Sequence, residues 1–319
     1  MLESFWNGEW LPHHELHVAV DDLGFTQGVT AVERMRTYGG RVFQVSRHLQ
    51  RFASTVTALQ ITGLPDQPTQ QEIVDELLRR NRRWLNEQRE AGIVLFATPG
   101  RLDRPALRPQ HQAGLSSEAT ESNTAHPTLV AYLSPLPLAL IAHRIRCGQP
   151  LALTNVVQPS VQTWPRHLKV RSRLHYFLAD RQATAIDPDA LGILLDEDRT
   201  VTETSVANLA VVHSGRIFSP PADRVLPGVT QAVAEEVASE LKIGWEKRPL
   251  SIREMQDADE VLLFGTTTGI WPAWLVSEAT GRADPGESAG SSNAGARRSV
   301  VGPIFQSLRK RFDAICAAD

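Results

Sequence analysis

Apolar and polar positions recur along the chain with two periods, and these divide it into strands and helices. Strand-like runs lie at 5–10, 31–38, 41–45, 92–98, 128–133 and 151–157, with shorter ones at 209–212 and 261–264. Gly39-Gly40 separates the second run from the third and supplies the positive φ that a two-residue hairpin turn needs. Helical spacing marks 48–60, where Leu49, Phe52, Val56 and Leu59 form one stripe, and returns at 69–88, 169–185 and 230–241. The 169–185 stretch places Leu174, Phe177 and Leu178 on a stripe expected to be buried. Both halves mix strands with helices, so the pattern predicts an α/β or α+β fold.

Two stretches, 101–126 and 279–297, are polar, rich in Gly, Pro or Ser and without apolar period, and they read as surface loops or insertions. The 319 residues suit two domains. The expected division is a smaller N-terminal α+β domain at 1–137, a connector at 138–148 and a larger barrel-like α/β domain at 149–319. A net charge of −3 without a basic block argues against nucleic acid as a partner. No apolar run approaches the roughly 18 to 20 residues of a membrane span, and the first residues lack the basic and apolar regions of a secretory signal. Two cysteines, Cys147 and Cys316, exclude a disulfide framework or a Cys-rich metal site. The expectation is a cytoplasmic protein with no resident metal.

Arginine bias shortens the search for a reactive amine, because the chain has four lysines, Lys169, Lys242, Lys247 and Lys310. The last three read as surface residues at helix ends, whereas Lys169 precedes an apolar helical stripe and points towards structure. Pro227-Gly228-Val229-Thr230 stands before the helix at 230–241, where free backbone N–H groups and a hydroxyl suit an anion such as phosphate. A second cup of the same kind is Gly265-Thr266-Thr267-Thr268-Gly269, directly after a strand. Glu203 is a lone carboxylate among small residues and wants a cationic partner if buried. Arg51, at the start of the 48–60 helix, is a candidate phosphate clamp.

Taken together, the hairpin, His48-x-x-Arg51, Lys169, Glu203-x4-Asn208, Leu226-Pro-Gly-Val-Thr230 and Gly265-Thr-Thr resemble the class IV aminotransferases, the fold type IV pyridoxal-phosphate enzymes. That family holds branched-chain aminotransferases, D-amino acid aminotransferases and aminodeoxychorismate lyases, and the resemblance covers nearly the whole chain. It implies a two-domain, D-amino acid aminotransferase-like fold, pyridoxal 5'-phosphate as cofactor and a homodimer. It implies that Lys169 carries the cofactor as a Schiff base and serves as the acid/base. It implies that Glu203 pairs with the protonated pyridine nitrogen and that Asn208 completes its motif. Arg51, Val229, Thr230 and Thr266 are implied to hold the phosphate, and Arg36, Thr267 and Thr268 the substrate carboxylate. The implied reaction moves an amino group between an amino acid, branched-chain by default, and a 2-oxo acid. Alternatives are a lyase eliminating pyruvate and a non-catalytic relative. The substrate side departs from the family pattern: Val32 and Gln27 replace aromatic residues, and Leu174 stands where branched-chain enzymes place a tyrosine near the cofactor's phenolic oxygen, leaving His175 or Tyr176 as substitutes.

Overall fold

The computed structural model describes residues 2–101, 126–276 and 301–318. The chain divides into two compact units, one of residues 1–135 with 168–172, the other of 136–167 with 173–319. The 279–297 stretch and all but the ends of 101–126 lie outside the described residues.

The first unit is built on the antiparallel strands β1 (Glu3–Trp6), β2 (Glu9–Pro12), β3 (Ala31–Tyr38), β4 (Arg41–Val42), β5 (Ala91–Arg101) and β6 (His126–Pro135), in the order β2-β1-β6-β5-β3-β4. The run at 5–10 proves to be a hairpin rather than one strand, because Asn7 and Gly8 adopt φ of 48° and 96°. An Asn-Gly pair favours such a turn. The Gly39-Gly40 turn forms as predicted, with φ of 60° and 77°. The unit's helices are α1 (Leu23–Thr26), α2 (Val45–Ala58), α3 (Gln67–Arg80) and α4 (Arg82–Gln88). Leu49 and Phe52 of α2 join Met35, Ile93 and Leu95 in the core. The predicted helix at 69–88 breaks at Asn81, whose side chain accepts from Glu3 N at 2.8 Å and donates to Glu3 O at 2.9 Å. A long-range tie thus overrides helical continuity.

Residues 168–172 complete this unit as extended chain: Val32 N donates to Lys169 O at 2.9 Å, and Val170 bridges Ala31. Lys169 therefore does not open a helix, contrary to the periodicity.

In the second unit α5 (Leu138–Cys147) occupies the stretch read as a connector, and β7 (Gln149–Val157), α6 (Leu174–Ile186), β8 (Leu191–Leu195), β9 (Val201–Thr204), β10 (Asn208–His213) and β11 (Arg216–Ser219) follow. Then come α7 (Val229–Glu240), β12 (Trp245–Lys247), α8 (Ile252–Gln256), β13 (Glu260–Gly265), β14 (Gly269–Leu275) and α9 (Pro303–Ala318). The sheet runs β12-β11-β10-β13-β14-β7-β8-β9, and β9 pairs again with β10, so the strands from β10 to β9 close into a ring. Leu151, Ile193, Leu209, Leu263 and Trp271 lie in its core.

Helix α6 reverses the expected burial: Leu174, Phe177 and Leu178 are 69%, 61% and 45% exposed, while Ala179 and Ala183 are buried. The cause is a close approach, since a Cβ on Gly192 of β8 would lie 2.6 Å from the Ala179 backbone. Only the small stripe fits against the strand, and the large one faces outward. No helix among the described residues is long and apolar enough to cross a membrane.

Candidate active site

Strand pairing gathers the second unit's predicted residues at one end of its sheet. Glu203 on β9 is opposite Asn208 on β10, and Asn208 is opposite Phe264 on β13, next to the turn at Thr266, Thr267 and Thr268. Glu203 is buried, and its carboxylate accepts four hydrogen bonds. Tyr176 Oη at 2.7 Å and Gln158 Nε2 at 3.2 Å donate to Oε1; Asn208 Nδ2 and Leu226 N, each at 3.2 Å, donate to Oε2. Asn208 Nδ2 also donates to Leu226 O at 2.8 Å, and a Cβ on Gly228 would meet Asn208 Oδ1 at 2.0 Å. The Pro-Gly before α7 is therefore pressed against the Glu203 motif.

Helix α7 begins at Val229 behind Gly228, whose position offers no side-chain cap, and Val229 and Thr230 are buried there. First-turn N–H groups without an intrahelical partner favour an anion. In the hairpin turn, Thr266 and Thr267 are half-buried and Thr268 is buried. Arg309 Nη1, from α9, donates to Thr268 O at 3.1 Å and to Ile270 O at 3.0 Å, fixing that turn. Ser205 Oγ, two residues beyond Glu203, is buried with no hydrogen-bond partner among the described residues.

The first unit holds Arg51, Lys169 and Arg36. Arg51 grips Glu33 with two hydrogen bonds, Nε to Oε2 at 2.9 Å and Nη2 to Oε1 at 2.7 Å, and His48 Nδ1 lies 3.0 Å from Glu33 Oε1. Glu33 is wholly buried, which alone would raise its pKa, but Arg51 and His48 hold its carboxyl far below the usual carboxylate range. Burial lowers the pKa of His48; Glu33 opposes this, and the charges of Arg51 and Lys169 push it further down. A neutral His48 then donates from Nδ1 to Glu33. Lys169 is half-buried, and its backbone N–H donates to Thr55 Oγ1 at 3.2 Å. The buried Arg36 lies with its guanidinium carbon 4.0 Å from the centre of the Tyr38 ring, and its Nε donates to Thr37 O at 3.2 Å.

The structure brings Glu203 and Asn208 together beside the Pro-Gly and threonine turns, and it adds partners whose contacts the sequence does not show. Glu33 and His48 orient Arg51, and Gln158, Arg166 and Tyr176 stand behind Glu203. Tyr176, considered for the phenolic oxygen, donates instead to Glu203. The burial of Gln158 and Arg166 is what marks them, and a single sequence carries no local signal of it.

Residues 30–275 match the family model for class IV amino-transferases, and the chain belongs to that family. It is accordingly an enzyme, a transferase of amino groups, and the lyase alternative is not needed. It is 28% identical to a Methanocaldococcus jannaschii protein assigned as a branched-chain-amino-acid aminotransferase, over 98% of this chain and 95% of that one. It is 24% identical to the D-alanine aminotransferase of Staphylococcus haemolyticus, over 98% of this chain and 97% of the relative. Among solved structures, the branched-chain amino acid aminotransferase of Thermoproteus uzoniensis with norvaline superposes with a TM-score of 0.76 at 17% identity, over 100% of this chain and 96% of that one. The mixed α/β architecture is thus fold type IV.

Proposed function

We propose that the protein is a pyridoxal 5'-phosphate-dependent aminotransferase that moves the amino group of a branched-chain amino acid to a 2-oxo acid. The observation that carries this reading is Glu203: a buried carboxylate at a sheet end beside an uncapped helix start and a threonine turn. Such a site suits a ligand with a cationic ring nitrogen and a phosphate. The partnerless Ser205 Oγ supports the fit, since a buried hydroxyl without a partner costs about 1 to 3 kcal/mol unless a ligand satisfies it. A branched-chain aminotransferase of the same fold has been solved with pyridoxamine 5'-phosphate, which supports the same cofactor here.

When bound, the cofactor supplies an aldehyde for amino-group exchange and an electron-withdrawing ring. Lys169 Nζ is assigned to hold it and to move the proton at the substrate's α-carbon. Glu203 would accept a hydrogen bond from the ring nitrogen, and Asn208 Nδ2 steadies that carboxylate at 3.2 Å. In the second unit Val229, Thr230 and Thr266 are assigned to the phosphate; in the first, Arg51, oriented by Glu33, is a candidate for the same anion. Arg36, Thr267 and Thr268 are assigned to the substrate carboxylate. The branched-chain label follows the relatives' names. A homodimer is part of the proposal, and the outward Leu174, Phe177 and Leu178 of α6 support a second copy as what covers them. The sparing use of cysteine supports a cytoplasmic location.

The test is uptake of pyridoxal phosphate by the purified protein. A visible absorption band that is lost in Lys169→Ala supports the reading, and a wild-type protein that takes up no cofactor overturns it. Amino donors screened with 2-oxoglutarate then read the substrate. Pyruvate release without amino transfer would move the reaction to the lyase branch.

A further inference from the structure

Behind Glu203 runs a buried polar chain that the proposed roles leave unused. Its far end is the ion pair of Arg166 Nη2 with Asp196 Oδ1 at 3.0 Å, both residues being buried. Arg166 Nη1 donates to Gln158 Oε1 at 3.1 Å. A guanidinium only donates, so it fixes the otherwise ambiguous amide: the oxygen of Gln158 faces Arg166 and the NH2 faces Glu203. Gln158 Nε2 reaches Glu203 Oε1 at 3.2 Å. Tyr176 Oη in turn donates to the same Oε1 at 2.7 Å, a charge-assisted length.

Direction and charge both follow from this order. Burial and the neighbouring Glu203 raise the pKa of Tyr176 well above its ordinary value, so the phenol stays a donor. Arg166 pairs with Asp196, which Arg224 also approaches at 3.7 Å, and a neutral amide stands between Arg166 and Glu203. The chain therefore brings neutral donors to Oε1, while the Arg173 guanidinium lies 4.5 Å over the Tyr176 ring. A direct Arg166–Glu203 pair would cancel the negative charge that a ring cation needs.

We propose that Tyr176, set together with Gln158 by the Arg166–Asp196 pair, is a positioning residue that aims Glu203 Oε1 and holds it as an acceptor for the cofactor's protonated ring nitrogen. This rests on the reading of Glu203 given above, and it puts Tyr176 on the nitrogen side of the ring instead of the phenolic oxygen. The recognised chemistry is the N–H of a pyridinium, so the chain sets how far the protein distinguishes nitrogen from carbon at that ring position.

The experiment measures equilibrium binding of two probes, pyridoxal phosphate and its analogue with CH in place of the ring nitrogen. Wild type should bind the nitrogen compound more tightly. Tyr176→Phe and, independently, Gln158→Leu should shrink that preference about tenfold, the scale of one hydrogen bond to a charged group, with the affinity for the analogue unchanged. Equal losses for both probes, or no change in either, would show that Tyr176 only packs the unit and would overturn the proposal. If wild type binds both probes equally, the Glu203 reading falls and the proposal with it. If wild type binds neither, the cofactor assignment itself falls. Melting temperatures of the cofactor-free variants, expected near wild type, separate misfolding from loss of aim.

Discussion

Two buried glutamates, one in each unit, are held in opposite ways. Glu33 is met by a guanidinium at 2.7 and 2.9 Å and by an imidazole at 3.0 Å. Glu203 is met by a phenol, two amide side chains and a backbone N–H. The first carboxylate fixes where the Arg51 guanidinium points. The second accepts from neutral donors on both oxygens, which stabilise the anion by hydrogen bonding. Burial alone thus does not say how a carboxylate is held; the chemistry of its donors does.

That contrast breaks most sharply under amide substitution. Glu33→Gln strands a buried guanidinium, and stability should fall by about 3 to 5 kcal/mol, read from denaturant unfolding. Glu203→Gln should cost less, about 1 to 3 kcal/mol, because Tyr176, Gln158, Asn208 and Leu226 N donate to it as neutral groups, yet transamination should fall roughly 100-fold or more. Equal stability losses from the two variants would refute the comparison. Arg309→Met tests the turn beside Glu203. Losing the bonds to Thr268 O and Ile270 O should raise KM about tenfold, about 1.4 kcal/mol, with kcat little changed. A kcat loss without a KM change would count against its role.

The smallest effect is a pH slope. His48 has a folded pKa below its ordinary 6.5, chiefly through burial. Its contribution is therefore complete above pH 6.5 and is lost as pH falls below that value, by at most about 1.4 kcal/mol per pH unit. His175, lowered to about 4 by burial and then by Arg173 and Arg166, acts with the same sign between pH 6.5 and 4. Glu33, depressed from 4.5, begins to lose its contribution only below pH 4.5. Melting curves of wild type, His48→Gln and His175→Phe between pH 7 and 5 should show shallower slopes in both variants; unchanged slopes would remove both histidines as the cause.

Local chemistry is legible in the sequence, and tertiary chemistry is not. Gly39-Gly40 announces its hairpin, and the Pro-Gly and Thr-rich segments announce a helix start and a tight turn, because each depends on neighbours in the chain. The apolar stripe of α6 misleads, since periodicity tells that a face exists but not which face a glycine-containing strand admits. The grip of Arg51 on Glu33 and the path from Asp196 to Glu203 join residues remote in sequence, and no local pattern encodes them. Lys169 stands out by residue type and family order, whereas its helical spacing points to the wrong element: extended chain pairs it with β3.

The segment 168–172 has a consequence for synthesis of the protein. Ala31 and Val32 find their pairing partners only when Val170 and Lys169 have been made. The first unit is complete in space but discontinuous in the gene, so a fragment ending at Pro135 would lack both this pairing and Lys169. On the ribosome, the other unit's α5 and β7 must emerge before the first can close, which ties the maturation of one to the translation of the other.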